Sequence, residues 1–371
     1  MGINCQKQTT RSLVIHVVTS LDFGGVERHM EIIGHTLAHA QFRVLFIVIG
    51  HGGAAEKRLQ DFGADVLCLD KKTKIPSLGA LSALLTLFWR EKPIVVHTHG
   101  AEANFHGLLA ARVAQVPVRI GEEIGIPDHS KRAQCVFRYI FSTAHRIIGI
   151  SQAVTDWLVE NGEVSHKKAV RIFNPVQLPD LRVRKKQEEN IFRIGFVGRL
   201  EPVKNPKVLV DVLKVLLNKD VPAELWLIGD GTERTAIKNR IHELELQEKI
   251  HLFGYQNNPS EFLYQCDVYV QPSLSEGFGL AVVEAMGCGL PVIATATGGV
   301  PEIVQEGVTG WIVKKPDTVS LVDAFLKAWQ LGSNQLFEMG EKARQSVENR
   351  FDPITYLKQL EGLYVDLREI G

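Results

Sequence analysis

The sequence predicts an α/β protein with two doubly wound parallel-sheet domains. Three observations carry this. Short β-branched runs alternate with longer helical patterns along most of the 371 residues. The alternation is interrupted once, at Asn174–Asn190, and then restarts. Glycine-rich turns recur at the carboxyl ends of the predicted strands, as in open parallel sheets that bind ligands there.

In order, Leu13–Val18 reads as a strand and Gly24–His39 as a helix. Arg43–Ile49 and Asp65–Leu69 read as strands, Pro76–Arg90 as a leucine- and alanine-rich helix, and Ile94–His97 as a strand. Helix Phe105–Gln115, strand Val116–Ile120, helix Lys131–Ala144, strand Arg146–Ile150 and helix Gln152–Glu160 follow. Strands alternating with helices imply crossover connections and a parallel sheet covered on both faces. Pro175, Pro179 and the basic run Arg182–Lys186 mark a linker,. Beyond it come strand Ile191–Val197, helix Pro206–Asn218, strand Glu224–Ile228, helix Thr232–Leu246 and strand Ile250–Phe253. Strand Asp267–Gln271, helix Leu280–Cys288, strand Pro291–Ala294, helix Pro301–Gln305 and a helical stretch from Thr318 complete the chain. The expected domains are 1–176, a linker at 177–190, and 191–352, with the last helix, 353–371, returning to the first domain.

Composition narrows the function. Lys plus Arg and Asp plus Glu both number 42, so the net charge is zero. Dedicated nucleic-acid binders carry a basic excess, and no nucleic-acid partner is expected. The 45% hydrophobic content is that of a globular protein,. The five cysteines are scattered, with no C-x-x-C pair, as expected of reduced thiols,. Met1–Ser12 lacks the apolar core of a signal peptide, and no run reaches membrane-spanning length, so a cytoplasmic location is expected,.

Several strand-end motifs carry chemistry. Gly24-Gly25 opens a helix, and backbone amides there suit an anion; a plain tight turn explains the pair equally well. Gly198-Arg199, followed by Lys204, places two cations where they can clamp a diphosphate,. Gly229-Asp230-Gly231 is a further turn at a strand end. Glu276-Gly-Phe278-Gly279-Leu280, with Glu284 eight residues after Glu276, is the densest signal. Both carboxylates can accept hydrogen bonds from sugar hydroxyls. Gly298-Gly299-Val-Pro301 is another glycine turn opening a helix. His97 and His99 alternate along a strand and so point one way, which raises metal binding. No third ligand has a matching spacing, and no metal is expected. No G-x-S-x-G elbow supports a hydrolase.

Together these motifs resemble the retaining glycosyltransferases of family 4 (GT4), with GT-B architecture, over nearly the whole length. The resemblance rests on GGVER at 24–28, VHTHG at 96–100, FNPV at 173–176, FVGRL…KN at 196–205, the GDG turn and SEGFGLAVVEAMGCGLPVIAT followed by GGVPEIV. It implies donor diphosphate binding by Arg199 and Lys204, sugar contact by Glu276 and ribose contact by Glu284. The amides of Phe278-Gly279-Leu280 would support the donor, the loop at Tyr255 would flank the base, and Gly25 would let the donor approach. It implies no cofactor and no metal. Many relatives carry a cleft histidine where this chain has Glu123, so either Glu123 takes its place beside the sugar, with His99 and Glu122 on the same acceptor-side cleft, or the acceptor is unusual, or Glu122 and Glu123 are plain loop carboxylates.

The expected reaction is transfer of a sugar from a nucleotide-diphosphate sugar, UDP being the commonest nucleotide in this class, to a hydroxyl acceptor. The acceptor would be a sugar or lipid-linked hydroxyl, in bacterial surface polysaccharide or lipid-linked oligosaccharide assembly. The cationic, aromatic stretch Lys131–Phe141 has two readings, an ordinary amphipathic core helix, which is the commoner, or peripheral contact with the inner face of the membrane,. A nucleotide-sugar epimerase and an inactive scaffold are the alternatives. The E-x7-E block argues against the first, and the complete set of donor-side residues against the second.

Overall fold

The computed structural model describes residues 11–21, 25–36, 39–179 and 191–370. Gly24 and most of the linker, including Arg182–Lys186, lie outside the described residues. The chain divides into two compact units. One is Met1–Pro175 with Pro353–Gly371, and the other is Val176–Asp352.

The first unit is a seven-stranded sheet in the order β3-β2-β1-β4-β5-β6-β7. Its strands are β1 (Leu13–Val18), β2 (Arg43–Val48), β3 (Asp65–Cys68), β4 (Val95–His99), β5 (Val118–Glu123), β6 (Arg146–Gly149) and β7 (Ala169–Arg171). All pairs are parallel. Its helices are α1 (Gly25–Thr36), α2 (Ala54–Asp61), α3 (Leu78–Glu91), α4 (Ala101–Val113), α5 (Lys131–Ser142) and α6 (Gln152–Glu160). Ser77, Ser130 and Ser151 cap α3, α5 and α6 by accepting from the amides of Ala80, Ala133 and Val154,.

The second unit is a six-stranded parallel sheet, β10-β9-β8-β11-β12-β13. Its strands are β8 (Phe192–Val197), β9 (Ala223–Ile228), β10 (Ile250–Gly254), β11 (Val268–Gln271), β12 (Val292–Thr295) and β13 (Gly310–Val313). Its helices are α7 (Val208–Leu217), α8 (Arg234–Glu243), α9 (Ser260–Leu263), α10 (Leu280–Gly287), α11 (Val300–Ile303) and α12 (Thr318–Glu348). In each sheet the strand order reverses once, between β1 and β4 and between β8 and β11. Loops leaving the carboxyl ends of those neighbours diverge and leave room for a ligand.

The terminal helix α13 (Pro353–Ile370) packs into the first unit. Tyr356, Leu360, Tyr364 and Leu367 join the core formed by Val14, Val18, Met30, Ile33 and Phe46. Glu361 accepts a hydrogen bond from the Gln41 amide at 2.7 Å.

The structure departs from the sequence expectations at specific places. Strand β4 runs on to His99 and β5 to Glu123, because polar side chains there are buried rather than solvated. Helix α2 is too polar to stand out, and β7, β13 and α9 are too short to show a period. The helical stretch from Thr318 is broken at Gly332, where φ is 73°, and ends before α13 begins.

Leu360 is 1% exposed. Leu360→Ala is expected to lower stability by about 2–5 kcal/mol, the usual cost of a buried leucine truncation. Urea denaturation checks it, and an unchanged midpoint would contradict the packing of α13.

Candidate functional site

The loops that end β8 and β11 come together in the second unit. After β8, Gly198 packs backbone to backbone against the turn after β9. The Gly198 amide donates to the Ile228 carbonyl at 3.0 Å, and the Leu200 amide to the Asp230 carbonyl at 2.9 Å. A Cβ on Gly229 would lie 1.9 Å from the Gly198 carbonyl oxygen, and its φ is +142°, so only glycine fits,. The chain then makes a short 3-10 turn, Pro202–Lys204, that delivers the Lys204 side chain.

The loop after β11 carries Glu276, which is 8% exposed. Its Oε1 accepts from Lys204 Nζ at 2.5 Å, Gln271 Nε2 at 2.7 Å and Ser273 Oγ at 2.9 Å. Gln271 Nε2 also donates to Ser273 Oγ at 2.7 Å, and the Tyr269 hydroxyl donates to Gln271 Oε1. Three donors on one oxygen hold the carboxylate in a fixed direction. Burial, with the Glu276 and Glu284 charges added, pushes the Tyr269 phenol well above its ordinary range, so it remains a donor. The backbone is held equally tightly. A Cβ on Gly298 would fall 1.6 Å from the Glu276 carbonyl oxygen, at a φ of +53°. The loop leads into α10, whose first amides have no intrahelical acceptor,.

The other expected donor residues are placed as follows. Arg199 is exposed at the end of β8, and Glu284 is half-buried in α10. Phe278 is buried, its ring edge-on to Phe351 at 5.2 Å, while Gly279 and Leu280 start α10. Tyr255 is exposed just beyond β10. Asp230 is exposed and committed locally, accepting from the Gly231 amide at 2.8 Å and Arg234 at 2.7 Å. Gln271 and Ser273 were not singled out from the sequence. The signal was a glutamine ending the otherwise apolar strand Val-Tyr-Val-Gln.

In the first unit, Gly25 is the exposed first residue of α1. The structure places Glu122, Glu123 and His99 in the interior of the first unit. None lies on an open loop, because all three are strand residues and are at most 4% exposed. His99 and Glu122 face inward, into a cluster with His16, His29 and His97. Burial, reinforced by His97, lowers the His99 pKa to about 4, and burial likewise holds His16 well below its ordinary range.

Glu123 points to the opposite face of β5. Its Oε1 accepts from Asn104 Nδ2 at 2.8 Å, and Asn104 Oδ1 in turn accepts from the Thr98 hydroxyl at 2.6 Å. Burial raises its pKa to about 7. Nearby, His129 bonds Glu163 at 2.8 Å.

Two family descriptions match in succession: "Glycosyltransferase Family 4" over residues 23–178 and "Glycosyl transferases group 1" over residues 179–346. The chain belongs to glycosyltransferase family 4. It is 28% identical over 313 residues to UDP-Gal:alpha-D-GlcNAc-diphosphoundecaprenol alpha-1,3-galactosyltransferase of Escherichia coli, covering 79% of this chain and 80% of that one. It is 37% identical over 151 residues to N-acetyl-alpha-D-glucosaminyl L-malate synthase of Bacillus anthracis, a match spanning 40% of this chain and 39% of that protein. Among solved structures, Anabaena HepE in complex with UDP superposes with a TM-score of 0.81 at 21% identity, over 95% of this chain and 99% of that one. The same protein is known in complex with UDP-glucose. These structural neighbours share the GT-B fold.

The raised pKa of Glu123 has a sign. Folding binds its proton more tightly than the unfolded chain does, so the contribution is favourable below about pH 4.5 and is lost as pH rises to about 7,. Each pH unit is worth about 1.4 kcal/mol, so the loss is of order 3 kcal/mol. Glu123→Gln keeps the uncharged state and is expected to gain stability relative to wild type between pH 5 and 8, read by urea unfolding. A difference that stays constant with pH would contradict the assignment.

Proposed function

We propose that the protein is a retaining glycosyltransferase that moves a sugar from a UDP-sugar to a hydroxyl. The observation that carries this reading is the Glu276 carboxylate, fixed by Lys204, Gln271 and Ser273 beside the start of α10. Those donors all go to Oε1, and Oε2 would accept from sugar hydroxyls,. The Lys204 ammonium has three N–H donors. One is used by Glu276, which leaves two for the diphosphate. Arg199, exposed at the end of β8, adds a planar two-pronged donor. The amides at Gly279 and Leu280 complete the anion site, Glu284 takes the ribose, and the Tyr255 loop flanks the base.

In this mechanism the acceptor attacks the face from which the diphosphate departs, through an oxocarbenium-like state. The leaving phosphate takes the acceptor proton. The bond to the diphosphate breaks as the bond to the acceptor oxygen forms, so configuration at the sugar carbon is kept. Lys204 and Arg199 stabilise charge that grows on the leaving group, and they do so without reorganising. Their effect therefore falls on turnover more than on donor binding.

The UDP assignment is supported by the UDP and UDP-glucose complexes of HepE and by the UDP-Gal donor named for the E. coli relative. That relative's diphosphoundecaprenol-linked acceptor supports a lipid-linked acceptor here, met at the inner face of the membrane. No described helix is long and apolar enough to cross a membrane. Contact would instead come from α5, which exposes Lys131, Arg132, Val136, Arg138 and Tyr139 on one side while Phe137, Ile140 and Phe141 are buried.

Lys204→Ala is expected to lower kcat by about 10²–10³-fold, the effect of removing one preorganised charge-stabilising donor, with little change in the KM for the donor sugar. Steady-state kinetics checks it, and wild-type turnover would contradict the role. Tyr139→Glu is expected to reduce co-sedimentation with anionic vesicles. Wild-type protein that stays in the supernatant would contradict membrane contact.

A further inference from the structure

The interior of the first unit holds a group of side chains that the sugar-transfer reading does not use. Glu122 on β5 is 1% exposed and is surrounded by His29 from α1 and by His97 and His99 from β4. His29 Nδ1 and His99 Nδ1 lie 3.4 and 3.3 Å from Glu122 Oε1, and His97 Nε2 lies 3.3 Å from Oε2. None of these atoms has a hydrogen-bond partner, and both Glu122 oxygens are among the buried polar atoms left without one. A buried carboxylate is costly unless paired or bound to a metal.

The distances themselves are informative. Charge-assisted hydrogen bonds to a carboxylate contract to about 2.7–2.9 Å. Spacings of 3.3–3.4 Å are too long for that. The two spacings to Oε1, from His29 and His99, match the edge of a tetrahedron around zinc, because bonds of about 2.0–2.1 Å put neighbouring ligands about 3.3–3.4 Å apart,. The ligand atoms of His29, His99 and Glu122 all lie within 4.8 Å of one another.

The outer contacts fit as well. A ligating histidine usually bonds a partner through its other nitrogen, which aims the first at the metal. His99 Nε2 is 2.9 Å from His16 Nδ1. His97 Nδ1 is 2.9 Å from the Tyr364 hydroxyl, and its Nε2 faces the second Glu122 oxygen. His29 lies edge-on to the Tyr356 ring at 5.1 Å. Tyr356 and Tyr364 both come from α13, so the terminal helix borders this group.

We propose that His29 Nδ1, His99 Nδ1 and Glu122 bind a divalent transition metal, zinc by ligand type and geometry, with His97 and His16 as positioning residues. The site is structural. It ties α1, β4 and β5 together under α13, and takes no part in the donor chemistry. Two imidazoles and a carboxylate suit zinc, whereas magnesium and calcium prefer oxygen ligands.

The test uses the full chain with any affinity tag removed. Elemental analysis is expected to find close to equimolar zinc. If purification strips it, the metal-free chain titrated with Co²⁺ is expected to develop the intense visible bands of tetrahedral cobalt, and Zn²⁺ should abolish them. Glu122→Gln and His29→Gln are expected to lose the metal, and His97→Gln to weaken binding by about 10–100-fold. His145→Gln, outside the cluster, should keep it. A folded wild-type chain that contains no transition metal and gives no tetrahedral cobalt spectrum overturns the proposal. So does Glu122→Gln retaining full zinc occupancy. Should the variants fail to fold, the wild-type cobalt titration still decides. Sugar transfer is not read in any arm, so failure here leaves the transferase reading intact.

Discussion

Parallel strands covered on both faces leave polar side chains two places to go. They can gather at strand ends, where loops open, or they can enter the interior and find partners there. The second unit uses the first option. Strands β8 and β11 are neighbours at the reversal of strand order, and their end loops carry Lys204 and Glu276. Glycine makes this approach possible. Side chains at 229 and 298 would strike carbonyl oxygens of Gly198 and Glu276, so the loops touch through their backbones and the Lys204 and Glu276 side chains are aimed with little freedom,.

The first unit uses the second option. Adjacent strands β1, β4 and β5 send His16, His97, His99 and Glu122 inward, among otherwise apolar neighbours. On the other face of β5, Glu123 is buried with Asn104 and keeps its proton to about pH 7. Two adjacent carboxylates on one strand thus meet opposite solutions. One lies among imidazole nitrogens, and the other remains protonated to near neutrality.

Much of this was legible in the sequence. The alternation of strands and helices carries local periodicity, and so the α/β architecture followed from it. The Glu276–Glu284 block and the Gly198-Arg199 turn were readable because their residues are close in the chain. The Lys204–Glu276 pair was not, since only folding brings β8 and β11 side by side. Gln271 and Ser273 were hidden for a similar reason, as polar residues at a strand end look like the start of a loop. Glu122 and Glu123 were visible as candidates, but their burial was not, because carboxylates at a strand end read as solvated. The HTHG segment showed two histidines on one face, but its partners come from α1, β1 and β5, and no spacing along the chain announces them.

The central claim is a preformed nucleotide-sugar site in the second unit, built by protein cations and backbone amides. Its most direct test is thermal unfolding with a panel of nucleoside diphosphates, in buffer free of magnesium and manganese. Ligand at 100 times its dissociation constant adds about 2.7 kcal/mol of stability. A clear upward shift is expected with UDP, and a smaller one or none with the other nucleotides. No shift with any nucleoside diphosphate would contradict it.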